Sequence, residues 1–297
     1  MNKILLAAAI AGTLSITAFP SHADQLKVKV GALASSDAAS MQGKSVAVVL
    51  HDRESFSAMT AGKAMFGMFG AMAMIKAGND FVEANQIPDP TIIVREQLSG
   101  VLRDQFGAVP MAVDTTVTKS VKPAELVKVH PQSDYILSVK HGGSLYVYYP
   151  GKWDGYWVGN SVAVQLIHTA SGKVVSKGNC YASTHKNPVR PSLDQLHADR
   201  AQLTKDILAS LAWKCSRQLA IDGFKLTAER APAVPAELED PLSRVTPAAP
   251  TAKQAPSTGE APAPEAPPEA PEAPDAPEAP DAPEATAPKE TVSEGNP

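Results

Sequence analysis

Residues 58–78, AMTAGKAMFGMFGAMAMIKAG, constrain this chain most, because a small residue recurs there at every third position: Ala58, Ala61, Ala64, Gly67, Gly70 and Ala73. Wound as a helix, the stretch lines up Met65, Met68, Phe69, Met72 and Ile75 at the i, i+3, i+4, i+7 spacing of an apolar stripe. Its other side carries Ala64, Gly67, Gly70, Ala71 and Gly78 and is apolar too, but flat. A helix with no polar side has to be covered by protein or by lipid. Spanning a bilayer is excluded by length, since twelve uncharged residues separate Lys63 from Lys76 and about 20 are needed. Small-x-x-x-small pairs such as Gly67/Ala71 and Ala73/Ala77 do favour close helix contact. Gly62, Gly67, Gly70 and Gly78 would together cost an isolated helix about 4 kcal/mol relative to alanine. Two readings stay open. One is an internal helix whose flat side, Gly62, Gly67, Gly70, Ala71 and Gly78, meets a close neighbour; the other is a segment making membrane or oligomer contact.

Both ends of the chain are legible from composition. Lys3, the apolar run 4–11 and the small-x-small triplet Ser21-His22-Ala23 read as a Sec-type signal peptide over residues 1–23, cleaved before Asp24. A bacterial periplasmic or secreted protein is implied, and no cysteine follows the cleavage site to take a lipid. From Ala231 to the C-terminus, Pro, Ala and acids dominate, with Glu269, Glu272, Asp275, Glu278, Asp281 and Glu284 three apart. A polyproline II helix has three residues per turn, so the run reads as a disordered, acidic tail with its acids along one edge. That tail is either a solubilising spacer or a docking segment.

Charge divides with the composition. Residues 231–297 hold 13 acids and three bases, whereas residues 24–230 hold 18 acids and 23 bases. The basic body could meet an anionic surface or fold its own acidic tail back. Nucleic acid is a poor partner for an exported chain with so mild an excess.

Residues 24–230 are long enough for one globular domain. Residues 26–30 alternate like a half-exposed strand and 45–50 like a buried one. Gly43-Lys44-Ser45 matches the end of a phosphate-binding loop, but the earlier glycine position is Ala38 and the motif precedes a strand instead of following it. Pro88 and Pro90 stop the small-residue helix. Thr91 then caps a second one with Ile92, Val94, Leu98, Val101, Leu102 and Phe106 on its apolar face. Strand follows at 109–117, a proline-started helix at 123–128, and strand again at 134–139. Residues 160–168 and 173–181 form a hairpin around Ala170-Ser171-Gly172. The last helix starts at Ser192, runs to about Ile221 and turns Leu196, Leu203, Ile207, Leu211, Cys215 and Leu219 inward. This order predicts an α/β (α+β) fold, a two-layer sandwich of mixed sheet and helices in a single domain.

The succession of Val46-Ala47-Val48-Val49-Leu50, Asp134-Tyr135-Ile136-Leu137 and residues 166–175 (LIHTASGKVV) resembles periplasmic α/β domains of envelope accessory lipoproteins. Domains of this kind occur in the curli secretion lipoprotein and in lipoprotein activators of penicillin-binding proteins. The resemblance covers residues 45–222, rests on general strand patterns, and lacks the lipid-acceptor cysteine of those proteins. It implies an envelope-assembly or accessory role and transfers no functional residue.

Cys180 and Cys215 are the only cysteines, and an even pair in an oxidising compartment predicts a disulfide. Their spacing fits neither a redox C-x-x-C motif nor a zinc site, and no histidine pair has metal-ligand spacing. No G-x-S-x-G or S-x-x-K motif occurs. Aromatic side chains crowd instead into residues 146–157, where Tyr146, Tyr148, Trp153, Tyr156 and Trp157 are the candidate binding residues around the loop Pro150-Gly151-Lys152-Trp153-Asp154-Gly155. Tyrosine and tryptophan there suit a sugar ring, a membrane interface or a protein partner, or form an aromatic hairpin over the core. The expectation is a non-catalytic exported envelope protein without cofactor or metal, binding a protein partner or the envelope surface. Its rivals are a peptidoglycan-binding or glycan-active module using loop 146–157, and a membrane- or oligomer-forming component working through residues 58–78.

Overall fold

A computed structural model of the chain describes residues 24–60, 67–113 and 116–245. The expected signal at 1–23, Gly62 and the tail beyond 245 lie outside them, and of residues 67–69, 152 and 153 only the backbone is described.

The chain opens with β1 (Gln25–Gly31), a short helix α1 (Ser35–Ala39), β2 (Ser45–His51) and β3 (Phe56–Met59). Helices α2 (Gly67–Asn85) and α3 (Thr91–Phe106) follow, then two short strands, β4 (Val109–Pro110) and β5 (Val117–Thr118), and helix α4 (Pro123–Val129). A meander of long strands comes next: β6 (Tyr135–Tyr149), β7 (Lys152–His168) and β8 (Lys173–Ser183). Helix α5 (Leu193–Phe224) and a short α6 (Ala236–Glu239) end the described chain. The sheet is mixed, in the order β1-β8-β7-β6-β2-β4, so the α/β class expected from the sequence is the one observed.

Strand β6 changes partner halfway along. Val46 to Val49 pair in parallel with Tyr135 to Ser138, and Phe56 to Met59 pair in parallel with Ser144 to Val147. Between the two lies a bulge at His141/Ser144, where Gly143 takes a φ of +101° that disfavours any side chain. Ala58 and Met59 are thus strand, not the start of a helix, because alternate burial of Phe56 and Ala58 suits a sheet edge.

Helices α3 and α5 cover one face of the sheet, packing Val94, Leu98, Leu102, Ile207, Leu211 and Leu219 against the meander. Within α2 the buried residues are Gly70, Met74, Gly78 and Phe81, while Ala71, Met72 and Ile75 are exposed. Of the flat side, Gly70 and Gly78 are packed, whereas Ala71, expected beside them, faces away because the helix meets β3 along a narrow line; Gly78 shows how close that contact is. A Cβ there would stand 2.0 Å from the Phe56 carbonyl oxygen and 3.0 Å from the Ala58 nitrogen, so only glycine lets the helix backbone reach β3. Met72 and Ile75, expected along the packed stripe, point away from it. No described helix is long and apolar enough to cross a membrane.

Other boundaries shift for local reasons. Thr91 does not cap α3; it is the first helical residue, and its N–H donates to Asp89 Oδ1 at 2.9 Å. Ile92 is exposed rather than inward. The strand expected at 109–117 is two short ones, Val109 and Pro110 pairing with Ser45 and Val46, and Val117 with Leu50. Strand β7 begins eight residues before Asn160, so Pro150-Gly151 is a two-residue hairpin turn with Gly151 at φ +81°.

Ser192 caps α5 as expected, accepting from the Gln195 N–H while the Gln195 side chain accepts from Ser192 N–H. Asp199, Arg200 and Ala201 then take left-handed backbone angles, which rotates the helix, leaves Leu203 only partly buried and turns Leu208 inward. Cys180 and Cys215 form a disulfide between β8 and α5 with their Cα atoms 5.7 Å apart. Closing a loop of that length stabilises by about 4 kcal/mol on chain-entropy grounds. One residue pair away, a Cβ on Gly178 would lie 2.4 Å from Leu219 Cδ2, so the helix rides close on the strand there.

Residues 231–245, assigned to the tail by composition, pack on the domain. Leu242 is 1 % exposed, and the Arg217 guanidinium donates to the carbonyls of Ala228, Ala231 and Pro232 at 2.8, 3.3 and 3.1 Å. On the sheet's opposite face Leu126 of α4 packs on Ala47, Val49, Ile136 and Ile167, and the segment at Val121 lies against Gln165.

Candidate functional site

The aromatic residues of 146–157 do not form one exposed patch. Tyr146 and Tyr156 are buried. Tyr146 stands edge-on to Phe56, Phe81 and Tyr156 at centroid distances of 5.6, 5.7 and 5.8 Å, and its hydroxyl lies 3.2 Å from His197 Nε2. Burial pushes its phenol up to about 12. Tyr148 packs against the same core. These three form the aromatic hairpin over the core. Trp157, opposite Val147, faces the other side of the sheet and meets His185, on which Tyr149 also stacks at 5.4 Å. The Trp153 backbone belongs to β7 and its side chain lies outside the described residues.

That other side is the open face of the sheet, and strand alternation fixes what it carries. Lys29 pairs with Asn179, Asn179 with Ala163, and Ala163 with Lys140, giving one row across four strands. Lys27, Tyr181 and Ser161 form the neighbouring row, and Gly31, Lys177, Gln165 and Ser138 the row beyond. Strands β1, β6, β7 and β8 together contain six lysines and one acid, Asp154. Among the described residues Lys140 is paired, with Glu54 at 2.8 Å, and that bond holds the Glu54 carboxyl below its usual pKa. No described carboxylate pairs with Lys27, Lys29 or Lys177.

Two features give this face shape. Trp157 and Tyr181 converge over Gly159: a Cβ there would stand 3.1 Å from Trp157 Cζ3, 3.1 Å from the Tyr181 hydroxyl and 3.5 Å from Leu145 Cδ1. Trp157 is steadied by His185, edge-on at 5.2 Å. Further along, a groove of about 250 Å3 opens between Lys140 and Lys177, floored by Ala163 and walled by Val121. Gln165 Nε2 donates to the Val121 carbonyl at 2.6 Å and anchors that wall.

One polar pair near the groove has the elements of nucleophilic chemistry. His51 Nδ1–H donates to the Thr118 carbonyl at 2.9 Å, which leaves Nε2 to accept from Ser138 Oγ at 2.7 Å. Burial holds the imidazole below its usual pKa. Ser138 is only 1 % exposed, so the pair works as a tie across three strands and not as a nucleophile with its base. No cluster of three or more His, Cys, Asp or Glu among the described residues could hold a metal.

Sequence reasoning found Trp157 and the two cysteines but missed the lysine face and Tyr181. The signal was present in the alternation of Lys27 and Lys29 along β1 and in the near absence of acids from four strands. What it lacked was the knowledge that helices would take the other face.

No protein-family model and no curated protein matches the chain. Solved structures do. The PelC dodecamer from Paraburkholderia phytofirmans is similar at 14% identity and a TM-score of 0.28, covering 63% of this chain and 94% of that one. Lipoprotein GNA1162 from Neisseria meningitidis matches at 14% identity and a TM-score of 0.23, covering 60% and 98%. The LpoB C-terminal domain from Escherichia coli matches at 14% and 0.17, covering 48% and 83%. A lipoprotein thus stands among the similar structures, the kind of protein the sequence resemblance named. At these TM-scores the likeness assigns no residue a role.

Proposed function

We propose that this protein is a non-catalytic, exported component of the cell envelope that acts by contact, presenting the open face of its sheet to another envelope constituent. The observation that carries the reading is the division of the sheet: helices cover one face, and the other exposes Lys27, Lys29 and Lys177, which pair with no carboxylate among the described residues. A sheet face with an excess of positive charge draws negatively charged surfaces to it. The signal-type N-terminus and the Cys180–Cys215 bond support an oxidising compartment.

Sedimentation with isolated envelopes tests the reading. The mature chain should pellet with them. A triple variant, Lys27→Glu with Lys29→Glu and Lys177→Glu, should stay in the supernatant. Reversing Lys76 and Arg103, on α2 and α3, should change nothing. If the triple variant pellets like the parent, the open face is not the contact surface.

A further inference from the structure

The open face ends at a free edge of the sheet, and the backbone there is more selective than the lysines. On one side the sheet stops at β4, two residues long and closed by Pro110, a form of edge that does not recruit strands. On the other side it stops at β1, seven residues without proline, paired only with β8 from Gln25 opposite Ser183 to Gly31 opposite Lys177. Every second residue of β1 therefore turns its N–H and C=O away from β8, and among the described residues no backbone group bonds to them. The strand is held at both ends. Asp24 pairs with Lys214 of α5 before it, and the Leu33 N–H donates to the Gly223 carbonyl at 2.8 Å after it. Its two sides differ in chemistry. Lys27 and Lys29 point to the open face, whereas Leu26, Val28 and Val30 point to the helical one, where Leu26 and Val30 stay 37% and 36% exposed at the rim. A row of free main-chain donors and acceptors is completed by another strand. A second copy of β1 fits badly, since antiparallel pairing about Val28 sets Lys27 against Lys29, and like charges directly opposite repel.

Resting on the reading of Lys27 and Lys29 as contact residues, we infer that the β1 edge takes up an extended segment of another protein, one in which acidic residues alternate with apolar ones, and so adds a strand to the sheet. Acids at every second position of that segment are about 7 Å apart, the spacing of Lys27 and Lys29 along β1, and meet them on the open face. The apolar residues between them lie beside Leu26 and Val30 and cover their exposed rim. Its main chain continues the ladder. Because β1 is already fixed, only the incoming segment is ordered on binding.

The probe is a peptide as long as β1 that alternates glutamate with valine, titrated against the mature chain at low salt. It should bind, and amide exchange in β1 should slow by about tenfold or more. The same peptide with proline at its middle position loses a ladder donor; a peptide of equal composition with its glutamates in one block loses the alternation. Each should bind about tenfold more weakly. Phosphatidylglycerol vesicles should leave β1 exchange unchanged. A Lys27→Glu, Lys29→Glu variant should lose the glutamate peptide and gain its lysine–valine counterpart, a rescue that an unfolded chain could not give. The inference is overturned if the glutamate peptide does not bind, if the proline or block peptide binds as tightly, if charge reversal leaves the preference unchanged, or if the vesicles slow β1 exchange as much. It is equally overturned if the mature chain alone dimerises with β1 protected, which would make the occupant a second copy. Should the triple lysine variant lose envelope sedimentation while no peptide binds, the contact face stands and the added strand falls.

Discussion

His51 and His141 are buried imidazoles that put a pH dependence into the fold. His51 sits between the Thr118 carbonyl and Ser138, with Lys140, Arg95 and Asp52 the charges that act on it. His141 lies at the β6 bulge, its Nε2 2.9 Å from Ser144 Oγ and 3.2 Å from Asn160 Oδ1, with Asp89 and Arg53 nearby. Burial lowers both pKa values from the ordinary 6.5. Below that pH the unfolded chain therefore takes up protons that the folded chain refuses. The stability these sites contribute is present above pH 6.5 and is lost as the pH falls below it. The urea midpoint should be lower at about pH 5 than at about pH 7.5, and His51→Gln should shrink the difference. A midpoint that is flat or rises toward acid would contradict this account. Asp134, whose carboxyl accepts from the Ser45 N–H and hydroxyl and is held below its usual range, adds its own loss only at more acidic pH.

At the scale of elements, the contact between α2 and β3 gives the sharpest test. Alanine is intrinsically better than glycine in a helix by about 1 kcal/mol. At Gly78, however, the added Cβ would meet the Phe56 carbonyl at 2.0 Å, and β3 cannot retreat while it is paired to β6. Overpacking against a fixed backbone costs about 3 kcal/mol, so Gly78→Ala should destabilise by about 2 kcal/mol net. Ala71→Val, on the exposed side of the same helix, should shift stability by less than about 0.5 kcal/mol. Equal effects in urea titrations would mean that the flat side is not packed. This helix also marks the limit of what its sequence discloses. The glycine spacing announced a close neighbour, but whether the neighbour was helix, strand or second subunit depended on Phe56 and Ala58 adding a strand beyond the end of β2. That pairing is long-range, and no local pattern encodes it. Helix α5, by contrast, was readable at its Ser192 cap and from Ile207 to its cysteine, because capping and periodicity are local, whereas the break at 198–201 that displaces Leu203 carried no sequence signal. The open face lay between these cases: Trp157 stood out as an aromatic, while Lys27, Lys29 and Lys177 looked like ordinary solvated lysines until the strands were ordered side by side.

For the molecule as a whole, the helical side carries stability and the open side is the proposed contact face. Helix α5 is held at β8 by the disulfide and close packing at Gly178, and on its other flank by residues 231–245 through Leu242 and Arg217. Composition placed those residues in the acidic tail because Pro, Ala and Glu dominate them, yet a single leucine at the right distance docks the segment. Burying Leu242 contributes about 2 kcal/mol, with the Arg217 bonds adding to it. A chain ending at Arg230 should accordingly unfold at a lower urea concentration than one ending at Val245, and Leu242→Ala in the longer chain should reproduce most of the loss. Because the segment packs with the helices, the two chains should sediment with isolated envelopes equally under conditions where both are folded. A shorter chain with an unchanged midpoint would remove residues 231–245 from the domain. A shorter chain that stayed folded but no longer sedimented would mean that the two sides of the sheet are not independent.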